Sequence, residues 1–154
     1  MTFYEILVII HILSAIVGLG PGFVLTYIVM KATNMAELRH GYKLRKQIHI
    51  FVMIGGTLLL VTGIIMGLIN PYLFKQGWYI VSFILYILAL AASPLLLRKE
   101  AKPINQFLEE YEEENDKAAI PQIYFDLSKR LYLYEHLTNV FFLFIILLMI
   151  LKPF

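Results

Sequence analysis

Residues 11–30 read HILSAIVGLGPGFVLTYIVM. This stretch contains no Asp, Glu, Lys or Arg, and its 20 residues as a helix reach the ~30 Å of a bilayer's hydrocarbon core. It also opens on His11 and carries Gly18, Gly20, Pro21 and Gly22, residues that weaken helices. A histidine followed by a row of small residues inside a membrane sets both the fold and the functional question. Working outward, the uncharged runs are Ile6–Met30 with 25 residues, Ile48–Phe74 with 27, Gln76–Leu97 with 22 and Leu137–Leu151 with 15. The last is shorter than the ~17–25 residues a spanning helix needs, so that helix is expected to start near Leu131 and include Glu135 and His136. The expected architecture is all-α: one transmembrane domain over 1–154, an antiparallel bundle of four helices at about 4–30, 48–70, 77–97 and 131–151. Uninterrupted apolar runs suit helices, whose backbone satisfies itself in lipid, and not the alternating strands of a barrel.

Composition agrees. Of 154 residues, 60% are hydrophobic and 16% charged, too few for a water-soluble exterior. The absence of cysteine removes disulfides, thiolate metal sites and thiol catalysis. The net charge of +2 carries no sign of a nucleic-acid partner. No basic residue precedes the first apolar run, and Glu5 stands in its place, so the first segment is expected to be retained rather than cleaved.

Charge distribution is more informative. Loop 31–47 holds Lys31, Arg39, Lys43, Arg45 and Lys46, and segment 98–130 holds Arg98, Lys99, Lys102, Lys117, Lys129 and Arg130. The other end has Lys75 and Lys152 alone. The positive-inside rule then puts both connections in the cytoplasm and both termini outside, as in a multi-pass protein of the plasma membrane. Trp78 and Tyr79 are expected at the outer interface, Tyr132 and Tyr134 at the inner one. The acidic stretch EEYEEENDKAAIPQ reads as the solvated part of a cytoplasmic helical hairpin that extends span three and leads, after Pro121, into span four.

Polar residues within the spans are the candidate site. His11, Ser14, Ala15, Gly18 and Gly22 share one face of span one, at offsets of 3, 4, 7 and 11. His49, Met53, Gly56, Gly63 and Gly67 do the same in span two, at offsets of 4, 7, 14 and 18. Span three carries Tyr79, Ser82, Tyr86 and Ser93 at offsets of 3, 7 and 14. Glycine faces commonly serve close helix packing alone. Ionisable groups in lipid instead face the bundle interior, with a partner or a function. Rise per residue separates His11 from His49 by roughly 20 Å along the bundle axis, too far to hold one metal or haem together. Two half-sites follow: an outer one around His11 and Tyr86, and an inner one around His49, His136 and Glu135, with Asn139 able to bond across helices. His11, His49 and His136 are the candidate metal ligands; His11, Ser14, Gly18, Gly22, Tyr86, His49 and His136 the candidate cofactor-binding set. No catalytic residue is nominated.

The early His11 with Gly18 and Gly20, the entry RKQIHIFVMIGGTLLLVTGIIMG to span two, and GWYIVSFILYILALAASPLLLRK over span three, with Trp78 and Pro94, resemble the bacterial membrane family called domain of unknown function 2269. The resemblance covers nearly the whole chain and implies a fold rather than an activity. More distantly, the layout is similar to the four-helix membrane group around copper-resistance protein D and the bacterial membrane-bound protoporphyrinogen oxidase. There an early histidine of span one is associated with haem binding, and His11 occupies the matching place. The chain departs from that oxidase in reading GPGFVLTY where a leucine-proline-arginine motif is typical, and in having Ser82 where a lysine follows the Gly-Trp. The oxidase activity is therefore not carried over.

Three functions follow. The first is a bundle that binds haem b for electron transfer or haem handling, with His11 as axial ligand; an enzyme, if it is one, would be a haem-dependent oxidoreductase. The second is a small transporter or channel component for metal or other ions, suggested by the Gly-Pro break in span one. The third is a non-catalytic scaffold or assembly factor that uses segment 98–130. Beside the bilayer, the partners left open are a membrane redox or assembly protein and further copies of the chain. Hydrolase motifs such as H-E-x-x-H are absent from the sequence.

Overall fold

A computed structural model describes residues 1–110 and 118–153, apart from the side chains of Ser93 and Pro94. Helix α1 spans Phe3–Met30, α2 Met35–Ile69, α3 Gly77–Ala92, α4 Arg98–Glu110 and α5 Gln122–Leu151. Four helical stretches are long and apolar enough to cross a membrane, α3 and α4 together forming the third. Among the described residues there is no strand, only an isolated bridge between Asn34 and Ala119.

Local chemistry sets the helix ends. Thr2 Oγ1 accepts from the Glu5 N–H at 3.3 Å while Glu5 Oε2 accepts from the Thr2 N–H at 2.9 Å, a reciprocal capping box. Helix α1 then runs unbroken through Pro21. Asn34 caps α2 through its Oδ1, which accepts from the Glu37 N–H at 2.9 Å. That cap overturns the expected loop over 31–47: only a short turn separates α1 from α2, and the basic segment is the first three turns of a 35-residue helix. Residues such as Ala36, Glu37, Leu38 and Arg39 favour helix strongly enough to extend the span towards water. A 3₁₀ turn over Pro71–Lys75 leads to α3, and a π-turn over Ser93–Leu97, containing Pro94 with no N–H to give, joins α3 to α4. Span three therefore does continue into the polar segment as helix. Residues 111–117, which hold most of the acidic run, lie outside the described residues.

Two cores are stacked along the bundle axis. The first lies among the spans, where Leu19, Leu59, Tyr86 and Ile145 bring α1, α2, α3 and α5 together. The second lies at the basic end, where Val29, Met35, Leu38, Ile104, Tyr124 and Leu131 join the end of α1, the starts of α2 and α5, and α4. Met35, Leu38 and Ile104 are wholly buried there, so the polar segment is docked on the bundle rather than held away from it. Around the spans the outward residues stay apolar, including Ile12, Ile16, Val24, Met53, Leu88 and Leu147, as lipid contact requires.

The α1–α2 contact is the closest. A Cβ on Gly18 would stand 2.6 Å from the Gly56 nitrogen and 2.8 Å from the Gly55 carbonyl carbon. Both are backbone atoms, so only glycines permit this crossing. Trp78, in the first turn of α3, is buried against its neighbours, set edge-on to Tyr79 with ring centroids 5.9 Å apart and with the Lys152 ammonium 5.4 Å above its ring. Tyr132 likewise turns inward, its hydroxyl bonded to Tyr124.

Candidate functional site

The outer half-site is built where α1 meets α2. His11 Nδ1 lies 2.8 Å from Thr62 Oγ1, and that oxygen lies 2.7 Å from the Leu58 carbonyl. Two oxygens at that distance need a hydrogen between them, and Thr62 has one to give. Its hydroxyl therefore donates to Leu58 and accepts from His11 Nδ1–H, which leaves the lone pair of the neutral ring on Nε2. Ser14, one turn on, donates to its own helix, Oγ to the Ile10 carbonyl at 2.6 Å.

Helix α3 reaches α2 through two phenols. Tyr79 donates to the Gly63 carbonyl at 2.8 Å, and Tyr86 to the Gly56 carbonyl at 2.9 Å. His11 sits at the level of Gly63, since a Cβ there would meet its Cε1 at 3.5 Å. Tyr79, not Tyr86, is thus level with His11; Tyr86 lies about 10 Å further along α2, seven residues of rise. The expected pairing fails because the 3₁₀ turn brings the first turn of α3 back alongside Gly63, displacing α3 along the axis. Ser82, between the two tyrosines, is wholly buried.

Nor do the glycines of α1 line an open groove. Gly18 is covered by Gly55 and Gly56, and a Cβ on Gly22 would meet Asn139 Oδ1 at 3.2 Å. Asn139 also reaches the Gly22 carbonyl with Nδ2, at 3.4 Å, so it bonds across helices as expected. An imidazole anchored at Nδ1 is the kind of side chain that serves as an axial ligand through Nε2. The flat ring of a haem needs a slot as well, and the two glycines expected to supply it are both occupied by protein. The residues present do not fit a haem laid along this face.

The inner half-site is reorganised too. Glu135 of α5 is buried; its Oε1 is paired with the Arg45 guanidinium of α2, and its Oε2 accepts from Thr26 Oγ1 of α1 at 3.0 Å. Three helices are joined by one carboxylate, at the boundary between the two cores. Beneath it Arg45 lies 5.9 Å from the Tyr42 ring centroid, and the hydroxyls of Tyr42 and Tyr124 approach to 3.5 Å. Tyr124 and Tyr132 share a further bond, completing a chain of three phenols. His49 and His136, expected beside Glu135, are both exposed, as is Met53. Among the described residues no three His, Cys, Asp or Glu side chains converge as a metal site would require.

Thr62, Thr26, Tyr42 and Tyr124 were not singled out from the sequence, and Arg45 entered only as one cation of its segment, although a signal existed. Gly55, Leu59, Thr62 and Met66 recur at offsets of 4, 7 and 11 and are all buried, a face adjacent to the Gly56–Gly63–Gly67 stripe. Arg45 follows Leu38 by seven residues, which extends the buried face of α2 into its basic segment.

The family described as a predicted integral membrane protein, domain of unknown function 2269, matches residues 5–153. No curated protein and no solved structure gives a significant match. With the match running from the first turn of α1 past the end of α5, the chain belongs to the family of domain of unknown function 2269.

Proposed function

We propose that this protein is a non-catalytic membrane scaffold: a lipid-embedded bundle whose basic-end layer, formed by α4 and the ends of its neighbours, presents a fixed surface for assembly. One observation carries the reading. The interior polar groups are used to tie one helix to another: His11 to Thr62, Tyr79 to Gly63, Tyr86 to Gly56, Asn139 to Gly22, and Glu135 to both Arg45 and Thr26. Cross-helix bonds of this kind rigidify a fold; Ser82 Oγ, buried without a hydrogen-bond partner among the described residues, stands outside them. Proton- and cation-coupled transporters commonly use an interior carboxylate free to bind and release the ion. Glu135 is neutralised by Arg45, and Glu5 is part of the α1 cap.

The test separates this reading from the haem and transport alternatives. Full-length protein is purified from haem-replete cells, titrated with haemin, and reconstituted for proton, copper and potassium flux. The scaffold reading expects no Soret band and no flux. In native membranes it expects a larger assembly on blue-native gels, unaltered by His11→Ala and lost when the exposed residues of α4 are replaced. A Soret band abolished by His11→Ala, or a flux abolished by Glu135→Gln, overturns it.

A further inference from the structure

Where α1 ends and α2 begins, a shallow groove of about 580 Å³ opens on the outside of the bundle, lined by Ile28, Lys31, Ala32, Ala36, Glu37, His40 and Gly41. Its two ends differ in chemistry. Towards the spans it continues into lipid-facing side chains, with Ile28, Tyr27 and Val24 of α1 all exposed. At the basic end it is bordered by Lys31 and His40, both exposed, with the Lys31 ammonium 5.6 Å from the Tyr27 ring centroid. Lys43, also exposed, lies one turn after His40 on the face that carries Ala36.

Glu37 is the one acid in the groove, and its carboxylate is already engaged. Oε2 accepts from the Thr33 N–H at 2.7 Å and from Thr33 Oγ1 at 2.9 Å, at the capped start of α2. Those donors are neutral, so the carboxylate keeps its charge and offsets one cation; Lys31, together with Lys43 beside the groove, still leaves positive charge in excess. It stands where the uncharged run of α1 stops, at Met30.

We propose that this groove is a binding site for an anionic phospholipid of the surrounding leaflet, the phosphate held by Lys31, His40 and Lys43 and an acyl chain laid along Ile28 and Val24. Cations at the mouth of an apolar groove match an amphiphile that is charged at one end and apolar at the other. Small residues at Ala32 and Ala36 let the headgroup approach the helix backbones, while Gly41 makes room for Val29 of α1. A soluble phosphate would use the cations and leave the apolar half of the groove without purpose.

The test uses full-length protein in phosphatidylcholine vesicles. Electron spin resonance reads the motionally restricted fraction of spin-labelled phosphatidylglycerol against that of spin-labelled phosphatidylcholine. The wild type is expected to favour phosphatidylglycerol by about fivefold at low salt, the factor expected near a surface cation. Lys31→Gln/His40→Gln/Lys43→Gln is expected to bring the ratio to parity. Lys99→Gln/Arg130→Gln, which removes exposed charge elsewhere at the same end, is expected to keep at least half of the preference. All five positions are exposed, and circular dichroism verifies that each variant stays folded. No preference in the wild type, a preference that survives the triple variant, or an equal loss in both variants overturns the site. Abolition of the preference by inorganic phosphate at constant ionic strength overturns the lipid assignment, giving the cations to a soluble anion.

Discussion

Glu135→Gln is the sharpest perturbation of this bundle. The amide keeps the shape of the side chain and can still accept from Thr26, but the charge is gone. Arg45, with 25% of its side chain accessible, is left without its counter-ion next to a carboxylate position that was 5% accessible. A unit pair about 4 Å apart at an effective dielectric of about 20 is worth about 4 kcal/mol, and breaking a buried pair on one side costs ~3–5 kcal/mol. Partial access of Arg45 to solvent favours the lower end, ~3 kcal/mol. For a chain of this size that corresponds to a melting midpoint lower by ~6–12 °C. The assay is thermal unfolding in detergent micelles, followed by circular dichroism at fixed pH and salt. The companion variants are Arg45→Met and the double variant Arg45→Met/Glu135→Gln. The double variant is expected to recover to within ~1–2 kcal/mol of the wild type, because an apolar residue is no worse in that position than a neutralised arginine. A double variant as unstable as the sum of the singles would refute the pairing and leave Glu135 as a carboxylate serving something else.

Gly18→Ala should destabilise by ~1–3 kcal/mol, because its methyl group meets the backbone of Gly55 and Gly56. Gly20→Ala, with nothing within 4 Å of the new carbon, should be neutral or stabilise by up to ~1 kcal/mol; the same melts measure both. Thr62→Val removes the acceptor of His11 Nδ1–H and should cost ~1–3 kcal/mol, whereas Tyr86→Phe, which leaves a helical carbonyl with its own backbone donor, should cost only ~1 kcal/mol. Equal losses at the two sites would contradict the hydrogen-bond assignment at His11.

The fold was legible because lipid imposes a coarse rule: long uncharged runs must be helices, and Ile6–Met30 obeys it throughout, Ile48–Phe74 as far as Ile69. Axial register was not. It depends on how tightly the 3₁₀ turn folds back, and that turn sets Tyr79 rather than Tyr86 level with His11. The glycine face of α1 was read correctly as a face, yet periodicity does not say whether a helix or a ligand fills it; Gly55 and Gly56 do. The partner of Glu135 is Arg45, visible in the sequence only as one cation of the first basic segment, and a carboxylate at that depth needs such a partner. His49 and His136 failed to join it for lack of a neighbouring element to cover them; both stay at the surface.

The two stacked cores answer to different surroundings. Between the spans, unfolding exchanges side-chain contacts for acyl chains, so denaturants dissolved in water find little to act on. At the basic end, Met35, Leu38, Ile104 and Leu131 are held by exclusion from water, a force that fades on cooling and yields to urea. One polypeptide thus has a half that chills loose and a half that chaotropes barely reach, with the Glu135–Arg45 pair at the seam.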